Sequence, residues 1–183
     1  MRVLELRGLP VIDPRTARRV GVVSDIYVDP VQHCIAALEI EAAAATTLAV
    51  SESLTADRER VLSAEVRRVG KSAVMLRGPY TPTRAADAPA EPGWLNLDAL
   101  VGLEVMSDGG DAMGALQDVS FDPDSLRVDG FELEVPVMER WFGGGGRISP
   151  EAVVSCSREL MLVRAGRQPA QEPVLTGQSQ GHT

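Results

Sequence analysis

The chain has 183 residues, room for one medium domain or two small ones of roughly 80–100 residues. Apolar residues make up 44 % and charged residues 24 %, which is the composition of a folded chain rather than a disordered one. A net charge of −8 with only 4 % aromatics argues against a nucleic-acid binder, which needs basic surface and stacking rings.

The charge is unevenly placed. Residues 1–78 hold 10 acidic and 11 basic side chains, net +1, whereas residues 94–166 hold 13 and 5, net −8. The start of the chain, Met1-Arg2-Val3-Leu4-Glu5-Leu6-Arg7, carries charges where a signal peptide needs an apolar run. No segment reaches the ~20 apolar residues of a membrane helix. These features point to a cytoplasmic protein without a membrane span. Two cysteines, Cys34 and Cys156, are too few for a disulfide scaffold and read as free thiols.

Taken in chain order, the elements repeat. Leu6-Arg7-Gly8-Leu9-Pro10-Val11-Ile12 echoes Leu100-Val101-Gly102-Leu103-Glu104-Val105-Met106 at an offset of 94. Gly21 to Pro30 echoes Gly114 to Pro123 at 93, including both Asp-Pro pairs, Asp29-Pro30 and Asp122-Pro123. Leu38-Glu39-Ile40 matches Phe131-Glu132-Leu133. Leu62-Ser63-Ala64-Glu65 matches Ile148-Ser149-Pro150-Glu151 at 86, and Met75-Leu76 matches Met161-Leu162. The drop from 93 to 86 places seven extra residues in one loop of the first unit.

Each unit reads as short strands. Val20–Val28 is rich in β-branched residues and stops at Asp-Pro; Ile35–Ile40 and Val128–Val135 follow as strands. Gly8 and Gly102 fit a bulge or close strand approach, and Gly21 and Gly114 fit strand openings. Ser149-Pro150-Glu151 starts a helical turn before the last strand, Leu160–Val163, and the same turn is expected after Ser63. Residues 52–69 look locally like an amphipathic helix, but the repeat makes Val61-Leu62 a strand. Residues 79–93 hold four of the twelve prolines and read as an extended linker; residues 167–183 read as a disordered tail.

This ordered set, Leu-x-Gly-x-x-Val, then Gly-x-[Val/Leu]-x-Asp-[Ile/Val], then Asp-Pro and a strand, then [Leu/Ile]-Ser with Glu two residues on, resembles the PRC-barrel domain family. That family includes the cytoplasmic part of the H polypeptide of photosynthetic reaction centres and the C-terminal half of RimM-type ribosome maturation factors. The resemblance implies a mainly β protein of two tandem small barrels, about six strands each. The division is residues 1–78, a linker at 79–93, residues 94–166, and a tail at 167–183. It also implies protein–protein docking or assembly rather than catalysis, with a membrane or photosynthetic electron-transfer complex as the setting. The alternative it leaves open is a ribosome-maturation-like factor that binds a ribosomal protein through the second barrel. The sequence departs from both relatives, showing neither the membrane helix of the reaction-centre polypeptide nor the first barrel of the maturation factor.

Side chains for chemistry are sparse. His33 adjoins Cys34, but adjacent strand residues point to opposite faces, and neither a metal set nor a nucleophile pair follows. Asp108, Asp111, Asp118, Asp122, Asp124 and Asp129 lack the alternation and closing glutamate of a calcium loop and read as solvated turns. Gly143–Gly146 lacks the Lys-Ser/Thr that a phosphate loop needs. No cofactor is therefore expected. The candidate partner-binding residues are Trp141 and Phe142, adjacent aromatics in an aromatic-poor chain, and Arg15, Arg18 and Arg19, clustered at one turn. Self-association is also open, because two like barrels can pack on each other.

Overall fold

A computed structural model describes residues 1–43, 58–81, 83–85, 87, 90–134 and 146–164. The protein is mainly β, with two sheets and almost no helix. The first sheet contains β1 (Pro10–Asp13), β2 (Arg18–Asp29), β3 (Cys34–Ala42), β4 (Arg58–Leu62), β5 (Val66–Val69) and β6 (Val74–Leu76), with β7 (Leu95–Asn96) added against β2. The second contains β8 (Glu104–Ser107), β9 (Ala112–Phe121), β10 (Val128–Glu134), β11 (Arg147–Ile148), β12 (Val153–Cys156) and β13 (Leu160–Val163).

The two sheets have one strand order. The first runs β4-β3-β2-β1-β6-β5 and the second β11-β10-β9-β8-β13-β12. Among the described residues, the one parallel pair in each is the first strand with the last, β1 with β6 and β8 with β13. The connections force both sheets to curl. Six flat strands about 4.8 Å apart would leave the outer edges ~24 Å from each other. Yet β4 and β5, at opposite edges, are joined by the single 3-10 turn Ser63–Glu65, which spans at most roughly 14 Å. The turn Pro150–Ala152 does the same between β11 and β12. These are the two helical turns read from the sequence; each opens a final hairpin, so one further strand intervenes before the last. Residues 52–57 lie outside the described residues; over 58–62 the helical appearance gives way to β4, which pairs Leu38↔Val61 and Ala37↔Leu62 with β3 and buries Val61 in the core.

The sheets agree even in their irregularities. A bulge follows Val11 against β2, and another follows Val105 against β9. Gly21 and Gly114 lie inside β2 and β9 rather than opening them. A Cβ on Gly21 would sit 2.5 Å from the Glu41 carbonyl oxygen, and one on Gly114 2.9 Å from that of Glu134, so only glycine permits the neighbouring strand to approach.

A single apolar cluster runs through both sheets, from Val3, Leu6 and Ile26 to Phe121, Phe131 and Met161, all fully or almost fully buried. The sheets meet about a pseudo-twofold axis at Cys34 and Arg127, which form a bridge. Ile35 N–H donates to the Leu126 carbonyl and Val128 N–H to the His33 carbonyl, each at 2.9 Å. His33 and Leu126 occupy equivalent places after the two Asp-Pro turns and are both left-handed, with φ of 54° and 60°. That conformation aims each carbonyl across the junction.

The segments preceding the first strand of each unit are exchanged. The 3-10 turn Val3–Leu6 packs on β9 of the second sheet, and Arg2 bridges Ser120. The helical turn α1 (Leu97–Leu100) packs between β2 of the first sheet and β9 of its own, and β7 pairs Asn96 with Tyr27. Part of the proline-rich segment is also seated: Arg60 N–H donates to the Thr83 carbonyl and Ala85 N–H to that of Arg58, so residues 83–85 cover the outer edge of β4.

Candidate docking surfaces

The β1–β2 hairpin presents the arginine turn. Asp13 accepts the Arg15 N–H at 2.8 Å, and this bond holds its carboxyl below the usual range. Arg15, Arg18 and Arg19 are all exposed, and no ion pair among the described residues holds them. Arg18 and Arg19 stand at the mouth of the hairpin, opposite Asp13 and Ile12. Trp141, Phe142 and Gly143–Gly145, like the tail 167–183, lie outside the described residues.

The acidic side chains of the second unit do not form one site. Asp122 organises its own turn, accepting Ser125 N–H and the Ser125 hydroxyl, each at 2.7 Å, which lowers its pKa. Asp29 holds the equivalent turn of the first unit, accepting Val31 N–H at 2.9 Å and Gln32 N–H at 2.8 Å. Asp124 pairs with Arg68 of the first unit at 3.1 Å, and Asp129 with Arg147 at 2.8 Å. Asp118 is buried at the junction, where it accepts the N–H of Val119 at 2.8 Å and of Leu4 at 3.3 Å. Its burial raises its pKa. Only Asp108 and Asp111 lie at an exposed hairpin tip, between β8 and β9.

Asp25 is the counterpart of Asp118. It accepts Ile26 N–H at 2.8 Å and Leu97 N–H at 3.3 Å, the Asn96 amide at 3.0 Å, and Arg7 at 3.4 Å. Arg7 also pairs with Asp98 at 2.8 Å. Thus the aspartate of each Gly-x-x-x-Asp repeat receives a backbone N–H from the first turn of the other unit. Sequence reading passed over this pair, although their shared place in the repeat was the available signal.

A buried polar group lies on the first sheet. Glu39 accepts the Tyr27 hydroxyl at 3.0 Å and pairs with Arg58 at 3.3 Å and Arg60 at 3.7 Å, while the Arg60 guanidinium stacks 4.6 Å above the Tyr27 ring. Burial, then the bond to Glu39, raises the Tyr27 pKa. Its charges pair with one another, and the group reads as a structural ion pair. Its counterpart on the second sheet is Glu132, which takes its arginine, Arg2, from the other unit at 2.8 Å.

Cys34 and Cys156 are free and half-buried. Burial raises both thiols, that of Cys156 to about 11, which disfavours the thiolate a nucleophile needs. A cleft of about 570 Å³ opens between the units, lined by Glu5, Arg68, Lys71 and Pro123 among others. Among the described residues no cluster of His, Cys, Asp and Glu could hold a metal ion, and no helix is long and apolar enough to cross a membrane.

Residues 1–80 match the family model of the PRC-barrel domain. The match covers the whole first curled sheet, β1 to β6, and the exchanged turn Val3–Leu6. No curated protein matches the chain.

Proposed function

We propose that this chain is a non-catalytic docking and assembly module built of two PRC barrels. The observation that carries the reading is the pairing of a PRC-barrel match over residues 1–80 with a second sheet of the same strand order and the same bulges. The second unit is on this reading a divergent copy, and the two act as one body because they share a core and exchange their first turns. The most prominent polar groups are spent on internal contacts: Asp25 and Asp118 on the junction, Glu39 and Arg60 on the first sheet. Exposed surface is left for binding, with the arginine hairpin at one end.

The setting we favour is a membrane-bound or photosynthetic electron-transfer complex, with the module attached at its cytoplasmic side. The acidic second unit supports one other reading, a maturation factor that meets a basic ribosomal protein. Affinity capture of the tagged full chain from native cells, with membranes and ribosomal precursors fractionated in parallel, separates the two. We expect recovery with one membrane complex. Co-sedimentation with small-subunit precursors selects the ribosomal reading, and a folded chain that repeatedly recovers no specific partner removes the docking function.

A further inference from the structure

The two hairpin tips occupy equivalent places and carry opposite charge. The β1–β2 tip presents Arg15, Arg18 and Arg19; the β8–β9 tip presents Asp108 and Asp111, with Asp111 at the position of Arg18 and Asp108 at that of Pro14. All five residues are exposed. No ion pair among the described residues holds the three arginines or Asp111.

The two tips are not joined within one molecule by any ion pair of the described residues between Arg15, Arg18 or Arg19 and Asp111. β2 leads from its tip at Arg18 to the junction at Asp29, and β9 from Ala112 to Phe121. Each path is on the order of 30 Å of extended strand.

We propose that the arginine tip of one copy docks on the acidic tip of a second copy. The argument is charge complementarity between two exposed turns at equivalent places in the two units. Because the two surfaces differ, the contact is heterologous: each copy keeps one tip free, and the copies add head to tail rather than closing as a pair. This deepens the reading of the chain as an assembly module and rests on it. A few solvent-exposed ion pairs give a weak, salt-sensitive contact, suited to reversible assembly at high local concentration.

The test is sedimentation velocity of the purified full chain across a concentration series, at low salt and at about 1 M salt, where the Debye length is ~3 Å. We expect growing assemblies at low salt and monomer at high salt. A variant with Arg15→Glu, Arg18→Glu and Arg19→Glu should associate about ten-fold more weakly. So should a variant with Asp108→Arg and Asp111→Arg, while one carrying both sets of changes should recover assembly. Arg→Lys changes at the three positions retain the charge and should retain assembly, and circular dichroism checks that each variant is folded. A wild-type chain that stays monomeric at low salt, or assemblies indifferent to both sets of reversals, overturns the inference. In either case specific capture of a cellular complex by the same chain leaves the docking function standing, whereas loss of both removes it as well.

Discussion

The two units share a backbone and differ in what they place on it. Strand order, bulges, the glycines at close approach and the exchanged first turns all recur. The junction aspartates recur too, Asp25 and Asp118 each receiving an N–H from the opposite unit. The ion pairs around them do not. Arg7–Asp98 has Val101 and Leu4 at the equivalent positions, which are 44 % and 42 % exposed. Arg68–Asp124 has Val154 and Val31, 47 % and 58 % exposed. What is duplicated is therefore the set of groups that satisfies buried backbone at the junction, and the ion pairs that have diverged around it are exposed. Leaving a buried N–H without an acceptor costs far more than an exposed ion pair returns. The divergence extends to net charge, +1 for residues 1–78 against −8 for residues 94–166.

The strongest way to break the comparison is through the shared core. Phe131 of the second sheet is fully buried in the cluster that runs into the first. Phe131→Ala should cost about 3–5 kcal/mol. If the units fold as one body, denaturant unfolding of the variant stays a single transition, and hydrogen exchange accelerates in β2 and β3 as well as in β10. Two separated transitions would mean independent barrels.

Next come the junction aspartates. Asp25→Ala and Asp118→Ala each strip two backbone N–H groups of their acceptor, and each should cost about 1–3 kcal/mol by chemical denaturation. The Asp25 change should be the larger, because Asn96 and Arg7 lose a partner as well. Asp118 also gives a response to pH. Burial raises Asp118, so its folded form holds its proton more tightly than the unfolded chain does. Its contribution is most favourable below the ordinary carboxylate range and declines as pH rises through the raised value. Stability of the wild type relative to Asp118→Asn should therefore improve as pH falls towards 3.8. Asp122, lowered by Ser125, runs the other way: its contribution is present above 3.8 and is lost in stronger acid, and Asp122→Asn should remove that loss.

Much of this was legible in the residues. The alternation of Val128 to Glu134, the Asp-Pro stops and the Ser-Pro-Glu turn each rest on local chemistry, and all fall where the strands and turns are. The exchange of first turns was not legible. A repeat states that Leu4 and Asp98 are equivalent, but it is silent on whether Asp25 receives the turn of its own unit or of the other. Both choices satisfy the same hydrogen bonds, and only the length of chain and the packing of two curled sheets decide. The short elements were hidden for a related reason: Arg2 and β7 pair over one or two residues, too few for any periodicity to show. The acidic residues read as turns, and Asp122 holds one, but Asp118, four residues earlier, is buried because the bulge beside Gln117 sets it against another unit's backbone.

The smallest expected effect is the one that checks the equivalence itself. Arg7 and Asp98 lie 2.8 Å apart across one flank of the junction, and the repeat places Val101 and Leu4 in the same relation on the other. Introducing Val101→Arg and Leu4→Asp together rebuilds the pair where the chain has lost it. Both sites are exposed, so neither single change empties a core position, and the coupling from a double-mutant cycle should be about 0.2–1 kcal/mol in favour of the pair. It should fade in high salt, as an exposed ion pair does. Because the side chains would meet only if the two flanks share one geometry, a coupling near zero at low salt would mean that the pseudo-twofold relation holds for the backbone ladders and not for the surface around them.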